Sequence, residues 1–152
     1  MENTSKLTPV SPDLAVFGSV PSDRDLAALA RRGFRTVVDA RLPRERMNDE
    51  HAAVELHDLR YEEIPCDPGD WTHDCFGHLA RILNDPDARP IAIHCTTGAR
   101  SAILALTAHV ARSGLTVEEL ERRARAMNVI LPDSATDFVR TTSDFYRSYR
   151  QP

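Results

Sequence analysis

Ile91-Ala92-Ile93-His94-Cys95-Thr96-Thr97-Gly98-Ala99-Arg100-Ser101 is the stretch on which the reading of this chain turns. Ile91–His94 is a short apolar run, and Ser101–Ala111 is apolar on nearly every face, so a buried strand feeds a buried helix through a very short loop. Backbone N–H groups in such a loop curl into an anion-binding nest, and the start of the helix adds partial positive charge. Gly98 permits the backbone angles that the curl needs. Arg100 supplies a planar fork of donors for bidentate contact with an oxyanion. Such surroundings depress a thiol pKa, so Cys95 is expected to act as a thiolate nucleophile, with Ser101 hydrogen-bonding its sulfur. Thr96, Thr97, Gly98, Ala99 and Ser101 are the expected binding residues, and His94 is expected to orient the loop from beneath. The bland alternative is a buried cysteine serving as a small hydrophobe. Gly98, Arg100 and Ser101 in register argue against it.

Outward from this stretch, strand and helix signals alternate. Leu14–Phe17 is an apolar run ending at Gly18. Ser22 then caps a helix over Asp23–Arg32, with Asp25 as its capping-box partner and Gly33 as the stop. Arg35–Ala40 reads as the next strand, and the polar loop LPRERMND leads to a helix near Glu50–Asp58. Arg60–Ile64 is a third strand, ended by Pro65; after the turn-rich CDPGDW a helix covers Thr72–Leu83. Beyond the stop at Ser113–Gly114, Thr116 and Glu119 open a helix to about Asn128. A last helix over about Ala135–Arg150 carries Phe138, Thr142, Phe145 and Tyr149 at helical spacing. Residues 1–13, polar and Pro-punctuated, read as a lead-in, leaving 14–152 as one domain. The alternation predicts an α/β fold: a central, mostly parallel sheet of four or five strands with helices on both faces. Such folds bind ligands beyond the carboxyl ends of their strands, the position of Cys95.

The 152 residues are 41% hydrophobic and 28% charged, which excludes a disordered tail or a disulfide-built miniprotein. The net charge of −4 argues against a nucleic-acid partner. Of 19 basic residues only Lys6 is a lysine, so the arginines matter one by one. Three cysteines, Cys66, Cys75 and Cys95, without a CxxC pair, point to a reduced, cytoplasmic chain. No apolar stretch approaches the ~20 residues needed to cross a bilayer, so no membrane association is expected. Cys66 is a candidate second redox thiol. His73, Cys75 and His78 invite a metal reading, but only Cys75 and His78 share a helical face, and neither metal nor cofactor is expected. Arg41 and Glu45 read as a surface ion pair or as part of the pocket mouth.

HCTTGARS resembles the signature loop of cysteine-dependent protein phosphatases, His-Cys-x-x-Gly-x-x-Arg-Ser/Thr, with one residue fewer: only Thr96 to Ala99 separate Cys95 from Arg100. In this it is similar to the phosphatase-like domain of beta-lactamase-hydrolase-like proteins, a bacterial group also described as sulfurtransferase-like. DLAALARRGFRTVVDAR with Glu45, and GLTVEELERRARAMN, extend the resemblance over about residues 10–130. Cys75 and Arg81 have the full phosphatase spacing, but no apolar strand precedes Cys75 and the segment reads as helix, which cannot form the nest. The resemblance implies a cysteine-phosphatase-like fold and a general-acid aspartate on the loop after Ile64. Asp67 follows the strand more directly; Asp70 has a competing reading as the N-cap of the next helix. The expectation is a phosphatase-like hydrolase acting on a phosphate monoester, phosphotyrosine or phosphoprotein among them, through a phosphocysteine. A smaller cup fits one sulfur atom more easily than three phosphoryl oxygens, so a rhodanese-like sulfurtransferase carrying a persulfide on Cys95 stays open. So does a module that holds phosphate or sulfate without turnover.

Overall fold

The computed structural model describes residues 6–46 and 49–150, with side chains described through Thr142. The side chains of Phe145 and Tyr149, expected to pack from the last helix, and residues 1–5 of the expected lead-in lie outside what is described. Among the described residues there are five strands: β1 Leu7–Ser11, β2 Leu14–Phe17, β3 Thr36–Asp39, β4 Arg60–Glu63 and β5 Ile91–His94. Six helices join them: α1 Asp23–Arg31, α2 Glu50–Leu56, α3 His73–Leu83, α4 Ala99–Arg112, α5 Val117–Ala126 and α6 Asp133–Arg150.

The strands form one sheet in the order β1-β2-β5-β3-β4, parallel except for β1. The expected α/β architecture is therefore the one found. The expected lead-in is not: its residues 7–11 add an antiparallel edge strand on β2, with an irregular register between Pro9 and Ser11. Pro9 lacks an N–H donor, and an edge strand can carry that loss on its solvent side. The same proline and the polar neighbours hide the strand in the sequence.

β5 lies in the middle of the sheet. His94 is in register with Phe17 on one side and Asp39 on the other, so the loop after it opens between the ends of β2 and β3. Alternation along these strands serves two cores. Leu14, Val16, Val38, Ile91 and Ile93 face the larger core, shared with α3, α4, α5 and α6, while Val37 and Ala92 face Leu26 and Leu29 of α1 and Val54 of α2. Helices thus cover both faces, which is what parallel strands joined by crossovers require.

Local signals set the ends of the elements. The Ser22 hydroxyl accepts from Asp25 N–H and the Asp25 carboxylate from Ser22 N–H, the capping box expected at α1. Gly33 follows α1 at φ +89°, the left-handed position that ends a helix. α4 is buried almost all round, from Ser101 to Ala111, because α3, α5, α6 and the sheet surround it. No described helix is long and apolar enough to cross a membrane.

α4 carries the loop, so the packing that fixes α4 fixes the site. Leu104 is fully buried at its centre. Leu104→Ala is expected to destabilise the protein by about 2–5 kcal/mol, read as a lower urea midpoint at unchanged slope.

Candidate active site

Cys95 is the first residue beyond β5 and is almost completely buried. Gly98 turns the chain into α4 as its N-cap, at φ +99°. A side chain there would be strained, and its Cβ would also come within 3.4 Å of Gly18 Cα at the end of β2. Two glycines from neighbouring strand ends therefore let the loop curl tightly. The curl aims the amides at the sulfur: Gly98 N–H donates to Cys95 Sγ at 3.1 Å, and Ser101 Oγ lies 3.6 Å from it. Burial alone would raise the Cys95 pKa. Hydrogen bonds from the Ser101 hydroxyl and from the N–H groups of Ser101, Gly98 and Thr97 outweigh it and bring the thiol below its ordinary range. The Ser101 hydroxyl also lies 3.0 Å from the Gly98 carbonyl oxygen, to which it donates. Its one proton thus has two acceptors, and a negative sulfur competes for it.

Arg100 is held at the rim, not in the core. Its guanidinium grips Glu45 through both terminal nitrogens, Nη1 to Oε2 at 2.7 Å and Nη2 to Oε1 at 2.6 Å. Nη1 also donates to the Cys66 carbonyl oxygen at 3.1 Å, and Nη2 to Thr96 Oγ1 at 3.4 Å. The Glu45 carboxylate is aimed by its own turn, Pro43–Glu45, where Leu42 N–H donates to Oε2. The Arg100 bonds hold the Glu45 pKa down at about 2. The ion pair is therefore complete above the ordinary glutamate range and is lost as pH falls toward that value.

Beneath the loop lies a buried charged network. His94 Nε2 is 2.8 Å from Glu50 Oε2, and its Nδ1 is 3.3 Å from the Cys95 carbonyl oxygen, so His94 ties the first peptide of the loop to α2. Arg41 departs from both expectations made for it: it is neither a surface ion-pair partner nor at the mouth. It is buried, with Nε and Nη2 each 3.0 Å from an Asp39 carboxylate oxygen and Nη2 3.8 Å from Glu50. Asp39 also accepts from the Tyr61 hydroxyl at 2.7 Å. Burial raises the Asp39 pKa, but the Arg41 bonds and the nearby His94 bring it below the ordinary range. Among the described residues, Asp39, Glu50 and His94 alone bring three potential metal ligands together. The Arg41 guanidinium already supplies positive charge there, which disfavours a cation. His73, Cys75 and His78 do not converge.

The loop after β4 crosses beside Arg100. Asp67 is exposed and follows Cys66, whose carbonyl Arg100 holds. Its Oδ1 accepts from Gly69 N–H at 2.9 Å and its carbonyl from Asp70 N–H at 3.0 Å. Asp70 does not cap α3: the N-cap is Thr72, two residues on, because the helix begins only at His73. Thr96 and Ala99 are exposed on the loop, Thr96 with its hydroxyl 3.3 Å from Glu45. Cys75 and Arg81 both lie within α3, as the helical reading of that segment requires. Glu50 was not foreseen in the site. A buried glutamate on the polar, amphipathic α2 has no local signal, and its partner His94 is 44 residues away.

Residues 6–111 match the model of the beta-lactamase hydrolase-like protein family, phosphatase-like domain, and the chain belongs to that family. The stretch GLTVEELERRARAMN lies beyond the matched residues. Among solved structures, P. aeruginosa TpbA in complex with pTyr is 19% identical, with 95% of this chain and 89% of that chain covered at a TM-score of 0.70. The core catalytic domain of the PP-IP phosphatase SIW14 from S. cerevisiae, in complex with citrate, is 14% identical over 95% and 90% of the two chains, at 0.71. Tk-PTP in its active form is 17% identical over 91% and 97%, at 0.73. The fold is that of the protein tyrosine phosphatase-like enzymes. No curated protein matches the chain in sequence.

The hydrogen bonds on the sulfur make a direct prediction. Thiolate alkylates and thiol does not, so the rate of Cys95 modification by iodoacetamide rises with pH through the Cys95 pKa. Ser101→Ala removes a donor to the thiolate and is expected to move this rise to higher pH. An unmoved profile, followed by mass on the Cys95 peptide, would show that Ser101 does not stabilise the thiolate.

Proposed function

We propose that the chain is a cysteine-dependent phosphatase-like hydrolase of phosphate monoesters, with Cys95 as nucleophile. The observation that carries this reading is the set of amide and hydroxyl donors focused on a buried sulfur at the start of α4, with Arg100 clamped beside it. In the reaction, the Cys95 thiolate attacks phosphorus and the bond to the ester oxygen breaks. The loop N–H groups and the Arg100 fork hold the three equatorial oxygens as charge builds on them. The hydrogen bonds of Arg100 to Glu45, Cys66 and Thr96 all run through Nη1 and Nη2, which leaves Nε–H outside the Glu45 grip. Glu45 keeps the guanidinium in one orientation, so little entropy is left to lose on binding. Asp67 is our choice for the acid that protonates the leaving oxygen, and the same carboxylate then takes a proton from the water that opens the phosphocysteine. Ser101 donates to the sulfur as it departs. The pTyr bound to TpbA makes an aryl phosphate the first substrate class to test.

A second reading rests on the loop length. With only Thr96–Ala99 between Cys95 and Arg100, the cup has one peptide fewer than the phosphatase signature, and a single sulfane sulfur on Cys95 needs less room. In that reading Cys95 carries a persulfide to an acceptor thiol, and Asp67 has no part. A non-catalytic oxyanion holder uses the same donors with Cys95 idle. We also infer a cytoplasmic setting, since Cys66, Cys75 and Cys95 are all unpaired.

Two variants separate these readings. Cys95→Ser is expected to abolish turnover of an aryl phosphate. Asp67→Ala is expected to lower it by about 10²–10⁴-fold and to remove the limb of the pH profile that requires a protonated acid. Acid-quenched intact mass after exposure to thiosulfate, or to the aryl phosphate, reads the adduct on Cys95. A one-sulfur adduct without phosphate release favours the persulfide carrier; phosphate release that persists in Cys95→Ser overturns the nucleophile.

A further inference from the structure

Two thiols outside the catalytic loop meet beside it. Cys66, on the loop after β4, is fully buried and its sulfur donates to the Ile64 carbonyl oxygen at 3.2 Å. Cys75, on the first turn of α3, is half-buried and its sulfur lies 3.5 Å from the next carbonyl oxygen, that of Pro65. Held beside consecutive carbonyls, the two sulfurs lie near enough to shift each other's charge. Thr72, the N-cap of α3, does not cap the helix with its hydroxyl but turns it to the Cys75 sulfur at 3.8 Å. Cys75 is the third helical residue, where the partial positive charge of the helix start favours an anion. Neither of these two sulfurs is used in the proposed reaction at Cys95.

We propose that Cys66 and Cys75 form a redox-active dithiol that peroxide closes to a disulfide, with Cys75 taking the oxidant and Cys66 resolving it. The Cys66 hydrogen bond outweighs burial and lowers the Cys75 pKa to about 6, so Cys75 is a thiolate at neutral pH and the more accessible of the pair. The hydrogen bond to Cys75 and burial keep Cys66 protonated. In the first step the Cys75 thiolate attacks one peroxide oxygen, the O–O bond breaks, and Cys75 sulfenic acid and hydroxide form. In the second, the Cys66 sulfur attacks the sulfenic sulfur as its own proton leaves with the departing oxygen, giving the disulfide and water. Two electrons pass from the dithiol to the peroxide. The carbonyl of Cys66 is one of the acceptors that hold Arg100, so the disulfide forms on a residue that already braces the anion site.

The test uses Cys95→Ser protein, in which the proposed reaction at Cys95 is absent, so its outcome is independent of the proposed phosphatase activity. Treated with hydrogen peroxide and then alkylated, this protein is expected to lose the mass of two hydrogen atoms and to yield a Cys66–Cys75 linked peptide. The loss should reverse with dithiothreitol and be absent in the Cys75→Ser, Cys95→Ser double variant. Should the double variant fail to fold, the linked peptide in the single variant still decides. Full alkylation of Cys66 and Cys75 after peroxide, or over-oxidation of Cys75 without a link, overturns the proposal. So does wild-type protein that pairs Cys66 with Cys95 instead.

Discussion

The first N–H groups of an α-helix have no acceptor within their own helix, and at the start of α4 the buried Cys95 sulfur is placed among them. Cys95 is what they find. The sulfur sits directly after the central strand, and the glycine turn brings Gly98 N–H to 3.1 Å from it. Stabilising the helix end and stabilising the thiolate are thus one interaction. The close approach of Gly98 to Gly18 follows from it, because the loop must pack against the end of β2 to point its amides inward. The buried cysteine is costly as an anion and is kept as one only by these donors.

Two arginines near the loop show how placement divides labour. Arg41 and Arg100 are each forked onto a carboxylate, Asp39 and Glu45. The Arg41–Asp39 pair is fully enclosed, with Tyr61, Glu50 and His94 around it, and breaking either partner would leave a buried charge uncompensated. It is a fixed floor under the site. The Arg100–Glu45 pair is partly open and spans elements far apart in sequence, with the Cys66 carbonyl and Thr96 hydroxyl as further holds. It can share its donors with a ligand without stranding a charge in the core. Only the second arrangement suits the proposed role of a residue that binds and releases an oxyanion.

What the sequence made legible is what depends on neighbouring residues. Ile91–His94 and the apolar α4 are visible as runs, the Ser22–Asp25 box as a cap, and the strand–loop–helix stretch then locates Cys95 at the end of a strand. β1 was hidden because its signal is destroyed by Pro9, and an edge position tolerates that proline. The floor of the site was hidden for another reason. Asp39, Arg41, Glu50, Tyr61 and His94 come from three strands, a loop and a helix, and nothing in local pattern says that they share one buried network. Arg41 and Glu45 lie four residues apart in the same polar loop, yet one turns into the core and the other to Arg100. The choice is made by a partner 55 residues away for Glu45, and for Arg41 by Asp39 two residues before it together with the distant Glu50, Tyr61 and His94 around that carboxylate, so composition of the loop could not reveal it.

The shortened loop bears unequally on the two tasks of the site. The donors that lower the Cys95 pKa are the Ser101 hydroxyl and the N–H groups of Thr97, Gly98 and Ser101, all at the helix side of the loop. Removing one peptide from the curl leaves them in place, so a competent thiolate survives the deletion. Room for a ligand does not survive it equally, since one N–H and one Cα step are gone from the wall of the cup. Under the proposed function, the lost coordination falls on Arg100, a side-chain donor group at the rim of the loop. Its direction is set by Glu45, whose carboxylate is itself aimed by Leu42 N–H. Under the proposed function, a substrate would then be selected at the rim, by how its oxygens fit a guanidinium already fixed by Glu45, more than in the nest around the sulfur.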